Sequence, residues 1–307
     1  MKAKKPSALP LWAAEQHQDI LELRYRIRKR LFSGASEFQQ IDIVESEGFG
    51  RMLFNDGIVM ISERDEFVYH EMISHVPLFV HPAVARVLVI GGGDGGTVRE
   101  LMRHPAVVHC HLVEIDPLVL EGCREHIPRT ASALDDSRVE VTVADGLRFV
   151  AETDERYDLV IVDSSDPIGP AEPLFGPAFY DDVKRVLRPD GMVVSQAESP
   201  FYDAARQSSL LGILAERFRR VHLYNYVNLT YPGGLWSFSL ATLGDHCPIG
   251  DFDAGRLRRS GLEFRWYGPD VHRAAFALPG FQAAALAPHL TPFRSPIFSA
   301  ENEGSPD

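Results

Sequence analysis

From Leu21 the chain alternates in character. Leu21, Leu23, Tyr25 and Ile27 fall on one side, and Glu22, Arg24, Arg26 and Arg28 on the other. A period of two marks a half-buried strand. Ser33 to Ser36 is a turn signal, and Phe38 to Val44 predicts a second strand. Gly50 to Phe54 and Ile58 to Ile61 flank Asn55-Asp56-Gly57, a hairpin signal through its Asp-Gly pair. Residues 1–62 are therefore expected to form a small antiparallel β domain, led by a disordered Met1 to Pro10.

The period then changes. Ser62 is expected to cap a helix whose first turn carries Glu63, Asp65 and Glu66, acids favoured there by the helix dipole. This helix carries Tyr69, His70 and Glu71 to about Phe79, and Pro82 marks the break after it. Strand patterns follow at Val87 to Ile90, His109 to Ile115, Val139 to Val143, Tyr157 to Val162 and Met192 to Ser195. Helical patterns lie between them: from Thr97, from Pro117 with Asp116 as cap, over Leu147 to Ala151, and over Ala178 to Leu187. A further helix is expected over Ala204 to Arg219. Pro167 to Pro177 reads as a long loop, and Arg220 to Val227 and Trp236 to Thr242 as antiparallel strands at a sheet edge. Such alternation implies an α/β domain with a mostly parallel, doubly wound Rossmann-like sheet, over residues 63–287. The proline-punctuated tail, 288–307, is expected to be disordered.

Composition narrows the chemistry. A formal charge of −12 on 307 residues argues against nucleic acid and for cationic ligands. Cys110, Cys123 and Cys247 are scattered, with no C-x-x-C, which fits a reducing compartment and offers neither a metal site nor a disulfide framework. No apolar run is long enough for a bilayer. The expected location is the cytoplasm, without a membrane partner. The Arg-rich strand from Arg24 to Arg30 reads as a solvated face or subunit contact rather than a nucleic-acid site. The edges of the small β domain need cover, so a homo-oligomer, dimer or tetramer, is expected.

The stretch VLVIGGGDGGTVRE, Val87 to Glu100, is a strand, a Gly-rich turn and a helix, the nucleoside-binding corner of a doubly wound sheet. Asp94 within the turn would repel a phosphate and suits a ligand with a cationic end. Ligands bind such sheets beyond the carboxyl ends of the strands. Those ends carry Glu114, Asp145 with Gly146, Asp163 with Asp166, and Gln196. A single Asp there is ordinarily a helix cap. Several acids facing one crevice repel each other unless the ligand is positive. Glu114 is placed to grip ribose hydroxyls, and Asp145 to bind an adenine amine. A nucleoside with a cationic tail, plus a second cationic substrate, is the picture these residues draw.

The motifs GGGDGGTVRE, VEID, ADG, DSSDPIGPAEPLF and ERDEFVYHE, with TYPGGLWSF and VHRAAFALPGF, resemble the polyamine aminopropyltransferases from Trp12 to Leu286. The resemblance implies a methyltransferase-like Rossmann fold and transfer of an aminopropyl group from decarboxylated S-adenosylmethionine to a diamine. Putrescine is the foremost acceptor, giving spermidine and methylthioadenosine. No permanently bound cofactor or metal is implied, only the co-substrate. By the same resemblance Gln39 and Glu114 would hold the ribose, Asp145 and Gly146 the adenine, with Pro170 lining the ring. Asp94 would bind the aminopropyl ammonium. Asp163 would be the base, with Tyr69 beside the attacking amine. Asp166, Gln196 and Tyr231 would line the diamine channel, with Trp12 a secondary carry-over, while His70, beside Tyr69 on the same helix, reads either as a substrate contact or as a packed or surface histidine. Two departures bear on the acceptor: Met60, where the family commonly has Gln, and Leu229, where it often has Pro. The rivals are another acceptor (cadaverine, agmatine or spermidine), a methyltransferase on the same sheet, a dinucleotide-dependent dehydrogenase, or a non-catalytic binder. Asp94 disfavours the methyltransferase and the dehydrogenase.

Overall fold

The computed structural model describes residues 11–164 and 169–297, the side chains of 169–171 excepted. A five-stranded antiparallel sheet comes first: β1 (Leu11–His17), β2 (Leu21–Ala35), β3 (Gln40–Ser46), β4 (Arg51–Asn55) and β5 (Ile58–Ser62), in that spatial order. The alternation from Leu21 does form a strand, with its arginines on the solvent face, where Arg28 and Arg30 face Glu45 and Asp42 of β3 and Arg26 faces Glu47 just beyond it. The strand β1 is not signalled by the pattern; it pairs along β2 from Leu11↔Ile27 to His17↔Leu21.

Helix α1 (Glu66–Val80) links the two sheets and is buried on nearly every side. Its polar side chains are buried with partners, His70 against Glu66, His75 against Glu100 and Glu71 against the Arg265 amide. The expected cap is corrected here. Ser62 ends β5, and the residue at the cap position is Asp65, whose side chain receives the Ser62 hydroxyl at 2.5 Å. Its other bonds go to a distant turn instead of the helix.

The second unit then winds strand by strand: β6 (Arg86–Gly91), α2 (Gly96–Met102), β7 (His109–Glu114), α3 (Pro117–His126), α4 (Pro128–Ala131), β8 (Val139–Val143), α5 (Gly146–Glu152) and β9 (Tyr157–Asp163). A 3-10 helix, Gly169–Phe175, occupies most of the stretch expected as a loop. Then come α6 (Pro177–Val186), β10 (Leu187–Gln196), α7 (Ala204–Arg217), β11 (Arg220–Val227) and β12 (Leu235–Thr242), followed by short helices α8 (Ala254–Arg259), α9 (Pro269–Ala275) and α10 (Gly280–Leu286). The sheet order is β11-β12-β10-β9-β6-β7-β8, with β12 antiparallel to both its neighbours. The chain leaves β6 towards β7 and returns on the other side at β9, so the topological switch point, and with it the crevice, lies between β6 and β9. There Gly91 is in register with Asp163.

Part of the expected disordered tail is docked. On the edge strand β11 the Thr291 amide donates to the Val221 carbonyl at 2.8 Å, and the Val221 amide donates to the Thr291 side-chain hydroxyl at 2.9 Å. Phe293 stacks on His222 with centroids 5.0 Å apart, and Arg294 reaches Asp245 and Asp251. The strand edge supplies backbone partners and the rings supply apolar area, which together outweigh the irregular, proline-rich pattern.

Candidate active site

A cavity of about 250 Å³ opens at the switch point, lined from both sheets. Gln39, Tyr69, His70, Asp94, Glu114, Asp145, Gly146, Asp163, Gln196 and Tyr231 all line it. Trp12 does not. On β1 the inward positions are Glu15 and His17, so the period of two turns Trp12 outward, where it is 51% exposed. Asp166 lies outside the described residues, as does the side chain of Pro170.

The glycine turn brings backbone and acids together. At Gly91, φ is +80° and a Cβ would stand 2.3 Å from the Asp163 carbonyl oxygen. Only glycine allows this approach of β6 to the end of β9. At Gly96 a Cβ would stand 2.2 Å from the His70 ring. The missing side chain is what lets α1 set His70 beside the turn.

Asp163 is buried, and both its oxygens are oriented. Tyr69 donates to Oδ1 and Thr97 to Oδ2, each at 2.6 Å. Burial and the nearby Asp94 charge push the Asp163 carboxyl above its ordinary range. Burial and Asp163 likewise push the Tyr69 phenol well up, so it remains a proton donor to the carboxylate. Thr97 has no signal in the sequence beyond standing at the start of a helix.

Asp94 accepts from the Gly96 amide at 2.8 Å and lies 3.3 Å from His70 Nε2. The other ring nitrogen, Nδ1, is 2.7 Å from Glu66, and Arg99 grips both Glu66 oxygens at 3.1 and 2.8 Å. Burial works against charge on His70, but Asp94 and Glu66 outweigh it and raise the ring to about 10. Burial also opposes charge on Glu66, yet the His70 and Arg99 contacts bring it down to about 2. This Glu66–Arg99 pair is a support the sequence reading missed. His70, Asp94 and Asp163 each place one nitrogen or carboxylate oxygen within 4.8 Å of the others, and with the ring protonated it is the two carboxylates that are left to meet a ligand's positive charge.

Glu114, at the end of β7, accepts from the Gly93 amide and the Asp116 amide, both at 3.0 Å. Burial nonetheless pushes it up to about 7. Gln39 donates to Asp116 at 3.0 Å, beside Glu114. Asp145 stands exposed at the mouth, where one oxygen caps α5 through the Leu147 amide. The Tyr231 hydroxyl donates to the Met60 carbonyl at 2.6 Å, and its ring meets that of Tyr69 edge-on at 6.1 Å. Of the two departures, Met60 lines the cavity, whereas the Leu229 side chain is 64% exposed and contributes only its amide, to Asp65. His272 bonds Tyr267 and the Pro248 carbonyl in a packed cluster away from the cavity.

Residues 66–247 match the spermine/spermidine synthase domain, and residues 11–63 the spermidine synthase tetramerisation domain. A polyamine aminopropyltransferase of Clostridium beijerinckii is 43% identical over 275 residues, covering 89% of this chain and 96% of that protein. One from Caldicellulosiruptor bescii is 42% identical, over 89% and 97%. A spermidine synthase solved with the transition state analogue AdoDATO superposes with a TM-score of 0.88 at 37% identity, covering 94% of this chain and 99% of the other. Spermidine synthase of Thermotoga maritima gives 0.87 at 37%, over 91% and 95%.

Proposed function

The chain belongs to the spermine/spermidine synthase family, the polyamine aminopropyltransferases, and from that premise we propose that it transfers the aminopropyl group of decarboxylated S-adenosylmethionine to putrescine. The products are spermidine and methylthioadenosine. The observation that carries this reading is the cavity that gathers Asp94, Asp163 and Glu114, buried carboxylates that a ligand with positive charge would compensate. In the proposal Glu114 and Gln39 hold the ribose, Asp145, Gly146 and Pro170 the adenine, and Asp94 the aminopropyl ammonium. His70, Gln196 and Tyr231 face the acceptor amine, and the family resemblance adds Asp166 as a partner for it.

The electrophilic carbon is bonded to a sulfonium and is already activated, so in-line displacement by an amine nitrogen needs no resident cofactor. An alkyl ammonium with a pKa near 10.4 must first lose a proton, which at pH 7 costs about 4–5 kcal/mol. Asp163 takes that proton. Its raised pKa brings it closer to the amine, and a base so tuned transfers the proton more readily. Tyr69 and Thr97 fix the carboxylate oxygens, and Tyr69 directs the nitrogen lone pair along the line of attack. The N–C bond forms as the C–S bond breaks, and the sulfur leaves neutral in methylthioadenosine.

The apolar Met60 in the wall favours one alternative, an acceptor with a longer methylene run such as cadaverine. We further propose two units: an N-terminal sheet, residues 1–62, that assembles the protein as a homotetramer or homodimer, and a catalytic unit, residues 63–287. The matched tetramerisation domain supports the first. No helix among the described residues is long and apolar enough to cross a membrane, and the proposed location is the cytoplasm. The test is product analysis with decarboxylated S-adenosylmethionine and a mixture of diamines. Spermidine with methylthioadenosine is expected. Methylthioadenosine with a different polyamine would replace the acceptor, and its absence would overturn the donor.

A further inference from the structure

At the head of α1 Asp65 caps through its backbone, its carbonyl accepting from the Val68 amide at 2.9 Å, while its side chain is turned elsewhere. Its side chain makes no capping bond to α1, although the residue is only 3% exposed. Its donors are neutral and come from two places. Ser62 Oγ bonds Oδ1 at 2.5 Å. From the turn after β11, Oδ2 receives the Leu229 amide at 2.8 Å and lies 3.1 Å from the Thr230 amide and 2.9 Å from the Thr230 hydroxyl, two donors it shares with Asn228 Oδ1 at 2.8 and 2.7 Å. A buried carboxylate is stable without a cation when several such donors reach it. A truncation that left those donors unpaired would cost more than the bonds contribute.

The turn that Asp65 holds carries Tyr231. The contacts close a circuit: Met60 and Ser62 on β5, Asp65 at the head of α1, then Thr230 and Tyr231, and back through the Tyr231 hydroxyl to the Met60 carbonyl. Two more bonds brace the turn, Tyr25 Oη to the Thr230 carbonyl at 2.9 Å and Trp236 Nε1 to the Pro232 carbonyl at 2.9 Å. Asp65 also lies one helical turn before Tyr69, on the same element. The first turn of α1 thus sets both the group beside Asp163 and, through Asp65, the ring that faces it at 6.1 Å.

We propose that Asp65 is a positioning residue for the acceptor side of the cavity: it holds the Asn228–Gly234 turn so that Tyr231 stands opposite Tyr69 at the spacing the amine substrate requires. The proposal rests on the aminopropyl-transfer reading. It assigns Asp65 no contact with substrate and no part in nucleoside binding, because none of its bonds reaches the glycine turn or Glu114. A merely structural stitch between the sheets would weaken everything together. A positioning role separates the two substrates.

The experiment compares wild type with Asp65→Asn, Asp65→Ala and Thr230→Val. For each, methylthioadenosine affinity is measured by calorimetry, and KM is measured separately for decarboxylated S-adenosylmethionine and for putrescine. Asp65→Ala is expected to raise the putrescine KM tenfold or more. Asp65→Asn, which keeps one acceptor oxygen for the turn, and Thr230→Val should raise it several-fold. Methylthioadenosine affinity and the donor KM should stay within twofold in all three. Where Asp65→Ala fails to fold, the other two variants decide. An unchanged putrescine KM in folded Asp65→Asn and Thr230→Val, or equal losses on the donor and acceptor sides, would overturn the proposal and leave the functional reading intact. Absence of aminopropyl transfer in wild type would overturn both.

Discussion

The cavity has two halves built on different plans. The half proposed for the nucleoside is made of strand ends and the turn that follows β6. Glu114, Asp163 and the glycines hold their places through the register of buried parallel strands. The half proposed for the acceptor is made of turns and of side chains from β1, β5 and the turn before β12, held by bonds such as Tyr231 to Met60 and Thr230 to Asp65. Strand register cannot change by a little; a one-residue slip would turn each strand inside out. A turn held by a few side-chain bonds can move by an ångström and remain folded. The contrast teaches where chemistry is fixed in this molecule and where specificity can drift.

The sharpest way to break that contrast is at its boundary. Asp163→Asn removes the proposed base while keeping its shape. Turnover should fall about a hundred- to ten-thousandfold, with methylthioadenosine affinity altered only a few-fold. Steady-state kinetics alongside calorimetry would show this, and unchanged turnover would remove Asp163 from the mechanism.

Next is Asp94, on the fixed half. Intact S-adenosylmethionine brings a carboxylate that the decarboxylated form lacks. Like charges about 4 Å apart repel by about 4 kcal/mol at an effective dielectric of 20, but the His70 ring beside Asp94 offsets part of this. Asp94→Asn is therefore expected to narrow the affinity gap between the two nucleosides by about tenfold to a hundredfold, roughly 1.4–2.7 kcal/mol. An unaltered ratio in competition binding would count against the assignment.

The support beneath Asp94 has its own signature in pH. His70 is raised to about 10 in the fold from an ordinary 6.5, so its protonation stabilises the fold fully below pH 6.5, and that contribution is lost as pH rises through about 10. Glu66→Gln removes one of the carboxylates responsible. Calorimetric melting from pH 6 to 10 should show a fall in wild type that is shallower in the variant; equal slopes would mean the Glu66–His70 bond is not what holds the charge.

The smallest effect is expected on the adaptable half. Tyr231→Phe deletes one hydrogen bond, worth about 1 kcal/mol. The putrescine KM should rise about fivefold with the donor KM unmoved, and a larger loss on the donor side would erase the distinction between the halves.

Legibility in the sequence follows the same division. The alternating period of two, the Asp-Gly hairpin, the glycine turn and the acids at strand ends are local patterns, and the elements they predict are present. Asp116 caps α3 as its position before Pro117 implies. What could not be read depends on distant partners. Thr97 serves Asp163 66 positions away, and Arg99 serves Glu66 33 positions back. Tyr25 reaches Thr230 across 205 positions. The misassigned cap has the same cause: a Ser before a run of acids fits a capping pattern, but Asp65 is drawn away by the turn 165 positions later. The resemblance implies Trp12 at the amine site, whereas the alternation along β1 leaves it on the outer face.

The segment lying along β11 has a consequence for the molecule in solution. An uncovered edge strand offers its free amides and carbonyls to any other chain, and proteins blunt such edges to avoid growing sheets between molecules. Thr291 occupies both backbone groups of Val221, while the rings of Phe293 and His222 stack just beyond. Thr291 and Phe293 are in this sense a guard against self-association. A protein shortened to Ala287 would keep its cavity and lose its protection, turning cloudy on storage or warming before its activity declined.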